Sequence, residues 1–171
     1  MLRRPLALAL VLIAAAAAAH ADRAPSEAEL KSLTRDAQDF ARATEKNRAK
    51  AVIDALPSRV IPSVAAQAQT PPKLIRDTLI EQASAVGKTT QPEEVTADLS
   101  AVRLDDAGGL TWGVVTMQGT TLTSGQRVRF TTETVAILED GDWHFARIDT
   151  EAQANLIRAA YPEIKDLRPG R

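Results

Sequence analysis

The chain has 171 residues, 44% of them apolar, with 21 basic and 22 acidic side chains and no cysteine. Met1 to Ala21 holds two arginines and no acid, so the remainder carries a formal charge of −3. This balance excludes a strongly basic nucleic-acid binder, a disordered acidic tail, a disulfide-stapled miniprotein and any cysteine-based nucleophile or zinc site.

Residues 1–21 read as a secretory signal peptide. Arg3 and Arg4 make a positive start, Leu6 to Ala19 an apolar run, and Ala19-His20-Ala21 a small-x-small cleavage pattern. The run is shorter than the roughly 20 apolar residues of a membrane span, so cleavage after Ala21 is expected rather than a stable membrane anchor. The expected location is periplasmic or extracellular, in a bacterium. Residues 22–171 then form one α+β domain, which at that size buries about 68–70% of its unfolded surface and needs no metal or disulfide to fold.

The helical part spans 26–87. Ser26 and Glu29 form a capping box. Leu30, Leu33, Ala37, Phe40, Ala41 and Thr44 follow at helical spacing, and the pattern continues through Val52, Ile53 and Leu56 to Pro57. A short helix is predicted over Val60 to Ala68. Thr70 is expected to cap a third helix, with Leu74, Ile75, Leu79, Ala83 and Val86 as its buried stripe and Gly87 as a left-handed stop.

The sheet part spans 94–149, where the period changes to two. Val95, Ala97, Leu99 and Ala101 alternate, Asp105 to Gly109 makes a turn, and Leu110–Leu122 and Gln126–Leu138 read as long strands around Ser124-Gly125. Asp140-Gly141 is a strong type I′ hairpin signal, and Trp143 to Asp149 closes the sheet. A second capping box, Thr150 with Gln153, opens a C-terminal helix over 150–161, and Lys165 to Arg171 reads as a frayed end. The fold class is therefore α+β: N-terminal helices on a curved antiparallel four-stranded meander, with a short C-terminal helix.

Registering the strands on these turns sorts the sheet into two faces. One collects Val115, Met117, Val128, Phe130, Thr132, Thr134, Ala136, Leu138, Trp143, Phe145 and Arg147, and should receive the helices. The other collects Trp112, Val114, Thr116, Arg127, Arg129, Glu133, Val135, Ile137, His144, Ala146 and Ile148.

Amphipathic helices followed by a long-stranded meander ending in Glu139-Asp140-Gly141-Asp142-Trp143-His144-Phe145-Ala146-Arg147-Ile148-Asp149 resemble the nuclear transport factor 2-like, or cystatin-like cone, superfamily. The resemblance covers about residues 40–149. It implies a curved sheet wrapped around helices, a cavity at the open end of the cone, and frequent homodimers through the outer sheet face, which here would use Trp112, Val114, Val135 and Ile137. The appended C-terminal helix departs from the pattern.

Within such a cone, Arg147 with Thr132 and Thr134, beside Trp143, Phe145 and Phe130, is the candidate ligand site. A guanidinium and two hydroxyls on an apolar wall can hold the carboxylate or phosphate of an amphipathic ligand. The ordinary alternative is an Arg147–Asp149 ion pair at the rim. His144 has no partner at metal-ligand spacing, so no metal and no cofactor are expected. Arg103, Arg127 and Arg129 read as surface charge rather than a nucleic-acid site. Two function classes stay open: a non-enzymatic secreted binding or accessory module for a small apolar or amphipathic ligand or an envelope protein, and a small isomerase, cyclase or dehydratase. The second would need Glu133 or Asp149 inside the cavity as an acid–base group.

Overall fold

The computed structural model describes residues 22–123 and 125–169. The expected signal peptide and its expected cleavage residues, Ala19 and Ala21, lie outside the described residues. The element order is α1 (Glu27–Glu45), α2 (Ala49–Asp54), α3 (Val60–Gln67), α4 (Pro72–Thr89), β1 (Thr90–Asp98), β2 (Leu104–Ala107), β3 (Leu110–Thr123), β4 (Gln126–Glu139), β5 (Asp142–Arg147) and α5 (Glu151–Ala160), with a 3₁₀ turn at Pro162–Ile164. The architecture is α+β: N-terminal helices, then an antiparallel sheet in the order β1-β3-β4-β5, with β2 also paired to β3. The fifth strand, β2, is four residues long and occupies part of the segment expected to be turn.

Asp140 and Gly141 both adopt positive φ, 51° and 93°, the backbone a type I′ hairpin requires. The pairing they set, Leu138 with Trp143, Ala136 with Phe145 and Thr134 with Arg147, puts each of these residues on the face expected for it. On β3 the same face carries Val115 opposite Thr134 and Met117 opposite Thr132.

That inner face receives α1. Leu33, Ala37 and Ala41 pack against Val115, Met117, Ala136, Trp143 and Phe145. Ser26 and Glu29 form the capping box. Trp143 is held to α1 at two points: its indole N–H donates to Ser32 Oγ at 2.9 Å, and its backbone N–H donates to Asp36 Oδ2 at 3.0 Å. One stripe does not run through to Leu56, however. Asn47, with φ of 48°, turns the chain between α1 and α2, and left-handed backbone at that point ends the first helix.

The outer face is a second core. Trp112, Val135, Ile137, Ala146 and Ile148 pack with Ile157, Ala160, Tyr161, Ile164 and Leu167 from the C-terminal segment and Val60 from α3. The side chains expected to meet a second subunit are thus occupied within the chain. Trp112, Val135 and Ile137 are buried, and Val114 is half-buried beside them. The physical reason is the appended helix, whose Thr150–Gln153 capping box starts α5 so that its apolar side lies over the strands. The expected fraying also fails before the described residues end: Ile164 and Leu167 are 1% exposed.

Helix α4 differs most from its sequence reading. Its N-cap is Pro71 with no side-chain capping bond, and Thr70 donates instead to the Ala68 carbonyl at 3.0 Å. It has no buried residue; Leu74 and Val86 are 56% and 60% exposed. The helix packs mainly on the short α2 and α3 and meets the sheet chiefly at β1, so its apolar stripe has no broad surface to enter. Gly87 is no left-handed stop either. It lies inside the helix, where an added Cβ would stand 3.0 Å from Asn47 Cγ and press on that side chain.

Ahead of α1, Arg23 forms an isolated bridge with Leu104, each donating its N–H to the other's carbonyl at 2.8 Å. Its guanidinium also reaches Glu29 at 2.7 Å and Asp106 at 2.6 Å. The arginine holds the Glu29 carboxyl at about 2, well below its ordinary 4.5. A carboxyl lowered in the folded state contributes stability above its unfolded pKa, and that contribution drains away as pH falls through the folded value. Glu29→Gln keeps a capping-box residue but removes the charge. It should therefore remove part of the stability loss that the wild type shows between pH 4.5 and about 2, read by denaturant midpoints across that window. For the tail, Leu167→Ala should cost about 2–5 kcal/mol in urea unfolding, as core leucines do, whereas a frayed end would show no change.

Candidate functional site

The inner face is filled at one end and hollow at the other. Near the Asp140-Gly141 turn, α1 presses onto Trp143 and Phe145. Toward the β3–β4 tip the sheet extends past α1, and α2 and α4 stand over it without filling the space. The result is a cavity of about 510 Å³, floored by β1, β3, β4 and β5 and walled by α1, α2 and α4.

Its lining is mostly carbon. Phe40 and Phe145 stack with ring centroids 5.2 Å apart, and Phe130, Met117, Val95, Val52, Leu56 and Val86 continue the wall. The floor is shaped by a bulge: Glu94 and Val95 stand opposite the single Gly119, and Glu94 takes a φ of 54°. Phe130 pairs with that glycine and lies across it, so that a Cβ there would be 2.9 Å from Phe130 Cζ.

Five of the six residues nominated for a ligand line this cavity: Arg147, Thr132, Thr134, Phe130 and Phe145. Trp143 does not, because it is buried at the filled end against Ser32. Thr132 and Thr134 are buried, and neither hydroxyl has a hydrogen-bond partner among the described residues. Arg147 is exposed at the rim, its Nε donating to Asp149 Oδ2. Asp149 Oδ1 accepts the Glu133 backbone N–H at 2.7 Å, which fixes the carboxylate beside the guanidinium. The ordinary rim pair is therefore present, and it coexists with the cavity: the Nη groups of Arg147 take no other partner among the described residues.

Neither carboxylate considered for acid–base work lies in the cavity lining. Glu133 is on the outer face, in a separate cleft of about 280 Å³ with Trp112, Asp98 and Asp105, and Asp149 is at the rim. Arg147 is the sole ionisable side chain among the described residues lining the main cavity. Tyr161 is committed elsewhere: its hydroxyl donates to Glu139 Oε1 at 2.8 Å and accepts the Arg59 N–H at 3.0 Å, and burial pushes it up to about 12. Among the described residues no group of three or more His, Cys, Asp or Glu side chains is placed to hold a metal ion, and no helix is long and apolar enough to cross a membrane.

Sequence reasoning missed the contribution of α4 and the α1–α2 corner, since Asn47, Ala83, Val86 and Gly87 all border the cavity. Comparison with known proteins finds no match among family models, curated proteins or solved structures.

Phe145 supports both the filled and the hollow end. Phe145→Ala should cost about 3–5 kcal/mol in chemical denaturation, while enlarging the cavity enough to raise its uptake of a small aromatic probe such as benzene.

Proposed function

We propose that the chain is a non-enzymatic binding module that holds a small amphipathic molecule, its apolar body in the cavity and its anionic head at Arg147. The observation that carries this reading is the lining itself: aromatic and aliphatic carbon, two buried hydroxyls, and one cation at the mouth. The volume falls within the range of about 300–1,000 Å³ typical of small-molecule sites, on the scale of a fatty acid. General acid–base catalysis asks for a positioned proton donor and acceptor at the reacting atoms, whereas a guanidinium remains charged throughout. The geometry therefore favours holding over converting.

The resemblance to the cone superfamily is consistent with a cavity between helices and the inner face of a meander. The two-sided burial of the sheet is the departure from it. Export to the bacterial envelope is part of the same proposal and rests on Arg3, Arg4, the apolar run and Ala19-His20-Ala21.

A fluorescent long-chain fatty acid and its methyl ester separate the components of the site. The wild type should bind both, with the free acid tighter. Ala83→Trp should fill the space and abolish both signals in a protein whose circular dichroism is unchanged. Arg147→Gln should weaken the acid roughly tenfold, the loss of one charge-assisted contact already shared with Asp149, and leave the ester unaffected. Absence of wild-type binding, or binding indifferent to Ala83→Trp, would overturn the reading.

A further inference from the structure

The end of the molecule where the cavity opens has a charge character unlike the whole. Three structural elements meet there. Thr90 at the start of β1 pairs with Thr123 at the end of β3, so the C-terminus of α4 lies beside the β3–β4 tip. Asn47 Nδ2 donates to the Gly87 carbonyl at 3.3 Å, which brings the α1–α2 corner to the same place.

Four cations sit on this end without an ion-pair partner among the described residues: Lys46 and Arg48 at the corner, Lys88 on α4, and Arg129 opposite Thr120 on the hairpin. The acids nearby have other commitments. Glu93 bridges Arg127 at 2.9 Å, and Glu45 accepts the Glu94 N–H at 3.3 Å, leaving two carboxylates, Glu45 and Glu94, against four cations. A chain that is negative beyond residue 21 thus presents a locally positive end.

Apolar side chains emerge among these cations. Val86 borders the cavity and is 60% exposed; Val128, opposite the cavity-lining Thr121, is 53% exposed. Val128 thus carries the inner face of β4 past the cavity into water and Val86 does the same from α4, with Lys46, Arg48 and Lys88 on the neighbouring helix ends and Arg129 on the other face of the strand tip.

We infer that this end docks onto an anionic lipid bilayer surface, with Lys46, Arg48, Lys88 and Arg129 on the headgroups and Val86 and Val128 entering the interface. Cations gain from the negative surface potential of such a leaflet, and shallow apolar groups add to that gain without a deep anchor. A protein partner is less well matched, since protein hot spots are built on aromatic and arginine anchors seated in pockets, and two isolated valines around an opening offer none. The inference stands independently of whether the cavity is filled.

The test is co-sedimentation of the protein beginning at Asp22, which contains every element described above, with vesicles of phosphatidylglycerol or of phosphatidylcholine. Binding is expected to the first and not the second, and it should weaken as salt is raised. Lys88→Gln with Arg129→Gln should weaken it by roughly thirtyfold while leaving fluorescent fatty acid binding in solution unchanged. Val86→Ser with Val128→Ser should weaken it at constant charge. Equal binding to both vesicle types, no binding, or full binding by the glutamine variant would overturn the inference. So would light scattering that shows a dimer broken by the serine variant alongside indifference to vesicles, which would assign this end to a second copy of the chain. Because the fatty acid assay is read without vesicles, failure of docking and failure of the cavity reading are distinguishable.

Discussion

The structure depends on the register of β3, β4 and β5. A strand alternates faces with a period of two, so a slip of one residue at the Asp140-Gly141 turn would carry Val135 and Ile137 to the inner side and Thr134 and Ala136 to the outer. Both sides are covered here by different helices, and each has its own complementary surface: α1 for Trp143 and Phe145, the C-terminal segment for Trp112, Val135 and Ile137. The positive φ at both turn residues and the two cores agree on a single pairing.

The two coverings differ in completeness, and that difference produces the cavity. On the outer side α5 and the tail bring Ile157, Tyr161, Ile164 and Leu167 into a continuous core, closed by the Tyr161–Glu139–Ser58 hydrogen bonds. On the inner side α1 covers only the half of the sheet near Trp143. The rest is roofed by α4, which contributes no buried side chain and leans on α2 and α3. Space under a roof of that kind is not filled by collapse, because the helix is spaced from the sheet by its neighbours and meets it chiefly at β1. Thr132 and Thr134 are tolerated at depth since hydroxyls desolvate at modest cost and can meet a polar group of an occupant.

The strands and their faces were legible because hairpin chemistry is local. Asp140-Gly141 and the alternation of Phe130, Thr132, Thr134 and Ala136 fix which side chains share a surface, and hence put Arg147 on the face of the two threonines. Trp143 was assigned to the correct face but to the wrong end of it, since alternation says nothing about how far a helix reaches along a strand. Helix α4 misled for a related reason: Leu74 and Val86 satisfy helical spacing, yet spacing cannot tell whether a surface lies opposite. The tail misled through composition. Lys165, Asp166 and Arg168 look solvated, and the two hydrophobic residues set among them, Ile164 and Leu167, follow a 3₁₀ turn and a further turn rather than a recognisable period. The β2 strand was hidden because three of its four residues, Asp105, Asp106 and Ala107, run into Gly108-Gly109 and read as turn.

The margins of the sheet have a consequence of their own. β1 carries Pro92, which has no amide hydrogen to offer, and a bulge that twists the backbone at Glu94. β2 is already bridged by Arg23, and on β5 the Phe145 amide is taken by the Ala55 carbonyl at 2.8 Å. A foreign strand approaching from either flank finds its prospective partners interrupted or engaged, so growth by lateral β-addition is blocked at both borders. Such a molecule can leave one greasy opening uncovered, because the ordinary route from a sticky surface to a fibril has been closed elsewhere.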